Sequence, residues 1–186
     1  SGASYNTPSS TYTVVGLSNA YMNAQGQLVA GSPLVSDINC LKAGGSTDYA
    51  NALEAANAEL QKDGRLGVQK VIVLLSDGAA NTGQNCTKST TDPHCTEPCH
   101  TAVNDATSYK NASVHLVHHP LRRPVRRPRL PTRTGSNESP AMTPQTAIQD
   151  IASPGNYHPD PNPANPASIF QQIAADMTKG TSRLLQ

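Results

Sequence analysis

Tryptophan is absent from the 186 residues, phenylalanine occurs once, and aromatics make up only 4 % of the chain. Apolar residues reach 36 %. Both figures are low for this length, so one domain with a modest core is expected. No apolar run approaches the roughly 18 residues of a membrane-spanning helix, and no membrane span is expected. The chain opens Ser-Gly-Ala-Ser without an initiator Met, a charged n-region or an apolar h-region, so its start reads as a cut end carrying no signal of its own. Charge is scarce as well. Charged residues make up 15 % and the net charge is +1, which argues against a dominant electrostatic partner for the chain as a whole. Also missing are a Gly-rich phosphate loop, a Gly-x-Ser-x-Gly elbow and carboxylates paired at catalytic spacing. Ser76-Asp77 with a distant His makes no triad without geometry, and the chain is not expected to be an enzyme.

What is present is a loop-rich α/β pattern. Fifteen Pro and thirteen Gly accompany abundant Asn, Ser and Thr, a composition of long connections. Residues 71–78 read Val-Ile-Val-Leu-Leu-Ser-Asp-Gly: five apolar residues, then a carboxylate and a glycine. That is a strand buried on both faces that ends on an acid. Ligands of open parallel sheets bind beyond the carboxyl ends of strands, which makes Asp77 a candidate binding residue. Residues 48–62 form the clearest helix, with Ala50, Leu53, Ala56 and Leu60 as its apolar stripe and Ser46 or Thr47 as cap, followed by an acid in the first turn. Further helices are expected at 35–41, 100–110, 143–151 (capped by Thr143 with Pro144 first) and 166–179 (Ile169, Phe170, Ile173, Ala174 and Met177 on one face). Extended segments are expected at 11–17 and 113–117, a turn with a short strand at 24–31, and an edge strand beginning at Tyr157. Helices alternating with strands indicate an α/β domain with a mostly parallel sheet.

Gly44-Gly45-Ser46-Thr47-Asp48 before an amphipathic helix, then Val71-Ile72-Val73-Leu74-Leu75-Ser76-Asp77-Gly78, resembles the von Willebrand factor type A domain. Ile148-Gln149-Asp150-Ile151-Ala152-Ser153-Pro154-Gly155-Asn156-Tyr157 and Ser168-Ile169-Phe170-Gln171-Gln172-Ile173-Ala174 resemble its secreted or pilus-assembly-associated bacterial branch. The resemblance covers about residues 40–85, 100–117 and 139–180, and it implies a Rossmann-like, mostly parallel sheet flanked by helices. It also implies a metal-ion-dependent adhesion site in which Thr47 matches the threonine of the second loop and Asp77 the aspartate of the third. Hydroxyl and carboxylate oxygens suit Mg²⁺. The Asp-x-Ser-x-Ser loop of that site occurs nowhere, and the nearest string, Asp105-Ala106-Thr107-Ser108, has the wrong spacing. The resemblance implies that the first strand, the first helix and the second strand of the family fold are expected to be missing ahead of Ser1. The expectation is one partial domain over 1–186, N-terminally truncated, whose incomplete site binds Mg²⁺ weakly or not at all.

Two segments interrupt this domain. A loop at 84–99 carries Cys86, Cys95 and Cys99, with Cys40 distant in sequence. His94 and His100 flank Cys95-x3-Cys99 and permit a zinc reading. The irregular spacing in an Asn/Thr/Pro-rich loop favours disulfides in an extracytoplasmic protein, with three connectivities open for four cysteines. The second segment, 118–138, is Pro- and Arg-rich, with six of the fourteen Lys and Arg between Arg122 and Arg133. It reads as a polyanion-binding arm for nucleic acid or anionic membrane, as a solvated Pro-rich loop, or as a local shift of reading frame. Nucleic acid is disfavoured because no aromatics interleave the arginines. In the frame-shift reading, CGN arginine codons read one base later would let the strand at 113–117 end in Thr-Ile-x-Tyr-Asp, as the resembled family does, and the coding DNA decides that case. The leading expectation is a non-enzymatic protein-binding or adhesion module of a secreted or envelope-associated protein. The alternative is polyanion binding through 122–133.

Overall fold

A computed structural model describes residues 16–17, 20–40, 47–76, 80, 96–120, 138–158, 171 and 173–175, the side chains of 37–40, 119 and 120 excepted. Its elements run α1 (Pro33–Cys40), α2 (Tyr49–Asp63), β1 (Lys70–Ser76), α3 (Pro98–Asn111), β2 (Val114–Pro120) and α4 (Pro144–Ile151). β1 and β2 pair in parallel, from Lys70 opposite Val114 to Ser76 opposite Pro120, with α3 between them in sequence, as a parallel crossover requires. Beyond the far edge of β2 lies the segment 153–158. Ser153 N donates to Leu116 O at 2.8 Å, His118 N to Asn156 O at 3.1 Å and His158 N to His118 O at 3.2 Å. His118 and Tyr157 thereby form a single parallel bridge, at the position where an edge strand was expected to begin. The result is a mixed α/β fold around a small parallel sheet. The larger Rossmann-like sheet is not seen among the described residues, which hold two strands.

Local sequence explains the element ends. Asp48, rather than Ser46 or Thr47, caps α2: its Oδ1 accepts from Asn51 N at 3.1 Å. The acid expected in the first turn is therefore the cap itself, because a carboxylate meets the free N–H groups as well as a hydroxyl and also favours the positive helix end. α3 begins two residues before the expected His100 because Pro98 occupies its first turn, where the missing N–H costs nothing. Thr143 caps α4 as expected, accepting from Thr146 N at 3.1 Å. Lys110 Nζ donates to Asp150 O at 2.7 Å, placing a cation on the free carbonyls that end α4. β2 runs three residues past Val117 to Pro120, so the first part of the expected irregular segment belongs to the sheet.

The core lies mainly on one face of the sheet. Ile72, Val114 and Leu116 meet Tyr49, Ala50 and Leu53 of α2, Cys99, Ala102 and Ala106 of α3, and Ala147, Ile148 and Ile151 of α4. The stripe expected on α2 is borne out, with Ala56 and Leu60 packed at its margin. On the other face Val117 packs with Ile173 and, partly, Val71. Residues 171 and 173–175 are helical, within the helix expected at 166–179; the rest of that helix, Gly44 and Gly45, and residues 11–15 lie outside the described residues.

One turn carries backbone strain. After α3 the chain enters β2 through Ser113, whose φ is 63°, in the left-handed region that costs a residue with a Cβ roughly 1–2 kcal/mol. Glycine usually fills this place after a helix. Ser113→Gly is expected to stabilise the fold by about 0.5–1 kcal/mol once glycine's larger unfolded-state entropy is counted. Urea unfolding should show a higher midpoint at unchanged slope.

Candidate functional site

Of the two sequence-derived site residues Thr47 is described, just ahead of the α2 end that meets the end of β1. Ser76, the last residue of β1, is tied to the first residue of α2: Tyr49 Oη and Ser76 Oγ are 3.0 Å apart, and Tyr49 is only 2 % exposed. This hydrogen bond holds the α2 N-terminus against the carboxyl end of β1. Thr47 is half-buried just before the cap, and it has a polar or electrostatic partner. The neighbouring carboxylate is committed to the fold, since Asp48 Oδ1 takes Asn51 N and Oδ2 takes Asn51 Nδ2. Asp77, the other proposed metal ligand, lies outside the described residues.

A second cluster, unforeseen in its main member, sits at the start of α3. Glu138, 4 % exposed, reaches back to the helix N-terminus. Its Oε1 accepts from Cys99 N at 3.0 Å, and its Oε2 accepts from His100 N at 3.1 Å and pairs with His100 Nδ1 at 2.6 Å. The local cap residue, Glu97, makes no side-chain cap bond. A carboxylate from 38 residues downstream therefore does the capping and supplies the anion that a helix N-terminus favours. One signal in the sequence pointed this way: Glu138 is the only acidic residue between Asp105 and Asp150.

Cysteine, histidine and glutamate adjoin one another here, and the thiol among them is held neutral. Cys99 is fully buried, and its Sγ donates to Ala80 O at 3.8 Å. Burial first, and then the negative charge and hydrogen bonding of Glu138, push its thiol from an ordinary 9.0 up to about 12. Nucleophilic cysteines need the opposite shift. Cys99 is a free thiol; Cys86, Cys95, His94 and the side chain of Cys40 lie outside the described residues, and so do the disulfide and zinc readings that depend on them.

A raised thiol pKa means the folded state keeps a proton that the unfolded state releases. The contribution of the neutral thiol is complete below pH about 9 and is lost as pH climbs toward 12. Wild type is accordingly expected to lose stability over that alkaline range faster than Cys99→Ala, so that the gap between their melting temperatures narrows. A gap that stays constant to pH 11 would show a thiolate tolerated in the fold.

At the opposite end of the sheet an open cleft of about 470 Å³ is lined by Val68, Lys110, His115 and Ser153 among others. Its polar groups serve the fold. Ser153 Oγ accepts from Leu116 N at 3.0 Å, and Asn156 Nδ2 lies in hydrogen-bond contact with His115 Nε2 at 2.9 Å. Among the described residues no three His, Cys, Asp or Glu side chains gather as metal ligands, and no helix is long and apolar enough to cross a membrane. Compared with protein-family models, curated proteins and solved structures, the chain matches none.

Proposed function

We propose that the chain is a non-enzymatic, von Willebrand A-like protein-binding module of a secreted or envelope-associated protein, with an incomplete metal-ion-dependent adhesion site. The observation that carries this reading is the Tyr49–Ser76 hydrogen bond. It fixes the loop bearing Thr47 beside the strand end that Asp77 follows in sequence, at the end of a parallel sheet where α/β proteins place ligands. In this reading Thr47 and Asp77, without an Asp-x-Ser-x-Ser loop anywhere in the sequence, make a weak site for Mg²⁺. That ion demands a near-octahedral shell of oxygens, usually from one or two carboxylates with water and a bound group, and the one carboxylate described in this loop, Asp48, has both oxygens on Asn51. Recognition by such a module would rest on the loops themselves, with the metal contributing little.

Millimolar Mg²⁺ or Mn²⁺ is therefore expected to leave the melting temperature unchanged. Tight binding to the folded state would raise stability by roughly 2.7 kcal/mol at a hundredfold excess over Kd, a shift easily seen by calorimetry, and its appearance would overturn the incomplete-site reading. The arginines of the alternative polyanion-binding arm, 122–133, lie outside the described residues.

A further inference from the structure

Among the described residues β1 pairs with β2 alone, and along 71–75 no described strand lies on its second edge. Among the described residues no backbone hydrogen bond beyond the β1–β2 ladder reaches Val71, Ile72, Val73, Leu74 or Leu75. Backbone donors and acceptors on such an edge are a template for another strand. Proteins usually guard it with lysine, proline, an inward charge or a bulge, and residues 71–75 contain no charge and no proline. The nearest cation, Lys70, is drawn off to α2, its Nζ donating to Gln61 Oε1 at 2.8 Å. Val73 and Leu75, on the face away from the main core, remain 37 % and 38 % exposed.

We propose that this edge is a self-association site, on which β1 of a second copy of the chain pairs antiparallel about a two-fold axis at Val73. The two-fold makes the interface isologous, and an axis perpendicular to the sheet keeps each face on its own side, so partners across the axis must come from the same face. Three nearby registers satisfy that rule, centred on Ile72, Val73 or Leu74. Only the one centred on Val73 keeps all five residues of 71–75 paired. It sets Val73 against Val73, Val71 against Leu75 and Ile72 against Leu74, joining apolar side chains on both faces. The two copies of Lys70 then lie at opposite ends, about 20 Å apart at 3.4 Å per residue. The strand thus meets itself with apolar side chains matched and no like charges opposed, and pairing makes one four-stranded sheet. So short an edge buries less than a standard interface, so the dimer forms and dissociates with concentration.

Sedimentation velocity on the full chain, from low-micromolar to near-millimolar concentration, should show a monomer–dimer equilibrium. Val73→Lys sets two ammonium groups face to face on the axis, where opposing Cα atoms are about 4.5–5.5 Å apart, and should weaken dimerisation at least about tenfold with an unchanged circular dichroism spectrum. A second variant keeps the test decisive should that one unfold. Val73→Cys, nearly isosteric, places two sulfurs within disulfide reach across the axis and should give a covalent dimer with copper–phenanthroline. Leu66→Cys, at a turn residue that is 99 % exposed, should give no more than the wild-type background. A monomer at every concentration, a Val73→Lys dimer as tight as wild type, or equal cross-linking at 66 and 73 would each overturn the proposal.

Discussion

Glu138→Ala is expected to lower stability by about 3 kcal/mol, the order found when one partner is removed from a buried, charge-assisted cluster. Three interactions vanish together. The N–H groups of Cys99 and His100 lose their acceptors, and the His100 ring loses its carboxylate. Water cannot replace them readily, since the Glu138 side chain is 1 % exposed and Cys99 is fully buried. Most of the effect is helix capping. The His100 side chain is 21 % exposed, so the ion pair alone contributes at most about 1 kcal/mol, and His100→Ala should be the milder change. Glu138→Gln separates the parts further. It preserves the side-chain volume but turns an amide donor toward one of the two backbone N–H groups, so it should restore less than half of the loss. At 2–4 °C per kcal/mol for a chain of this size, Glu138→Ala should melt about 6–12 °C below wild type. A fall of less than about 2 °C, below the effect of even an ordinary cap, would show that this carboxylate does not hold α3.

Glu138 also marks where the sequence stops being legible. Elements set by local chemistry could be read directly: the α2 stripe from Ala50, Leu53, Ala56 and Leu60, the Thr143 cap with Pro144, the apolar run of β1, and the start of β2. Each depends on residues within a few positions of one another. Capping of α3 depends on a residue 38 positions away, and no local period encodes it. The boundary of β2 was missed for the same reason. His118 looks like the start of a polar tract, but its backbone is taken up by Asn156 and His158, 38 and 40 residues further on. At the candidate site, Thr47 could be placed before a helix from sequence, while the Tyr49–Ser76 bond that brings this helix to the strand end is a tertiary contact between two residues that read as an apolar helix start and a polar strand end. Choosing Asp48 over Thr47 as cap turned on one residue of phase, the usual error at a helix end.

The scarcity of large side chains leads to the second strong effect, at Ala106. With no tryptophan and one phenylalanine in the chain, the fold draws its helices together on small residues: Ala50 of α2, Ala102 and Ala106 of α3 and Ala147 of α4 are all 2 % exposed or less. Ala102 and Ala106 lie four apart, one turn above the other on the same helix face, and α3 packs against both α2 and α4. Alanine permits this close approach, and a longer side chain has nowhere to go in an interior packed like an organic crystal. Ala106→Leu is expected to destabilise by about 2–3 kcal/mol, because α3 must move off its neighbours or accept a strained rotamer. Leucine is nearly as good a helix former as alanine, so helix propensity would not account for the loss. Ala56→Leu, at the partly buried margin of α2, is the matched control and should fall within about 1 kcal/mol of wild type. Equal effects at 56 and 106 in urea unfolding would mean that the helices are not held at alanine distance. A large loss confined to 106 would show that this aromatic-poor chain builds its core from close helix contact rather than from bulky side chains.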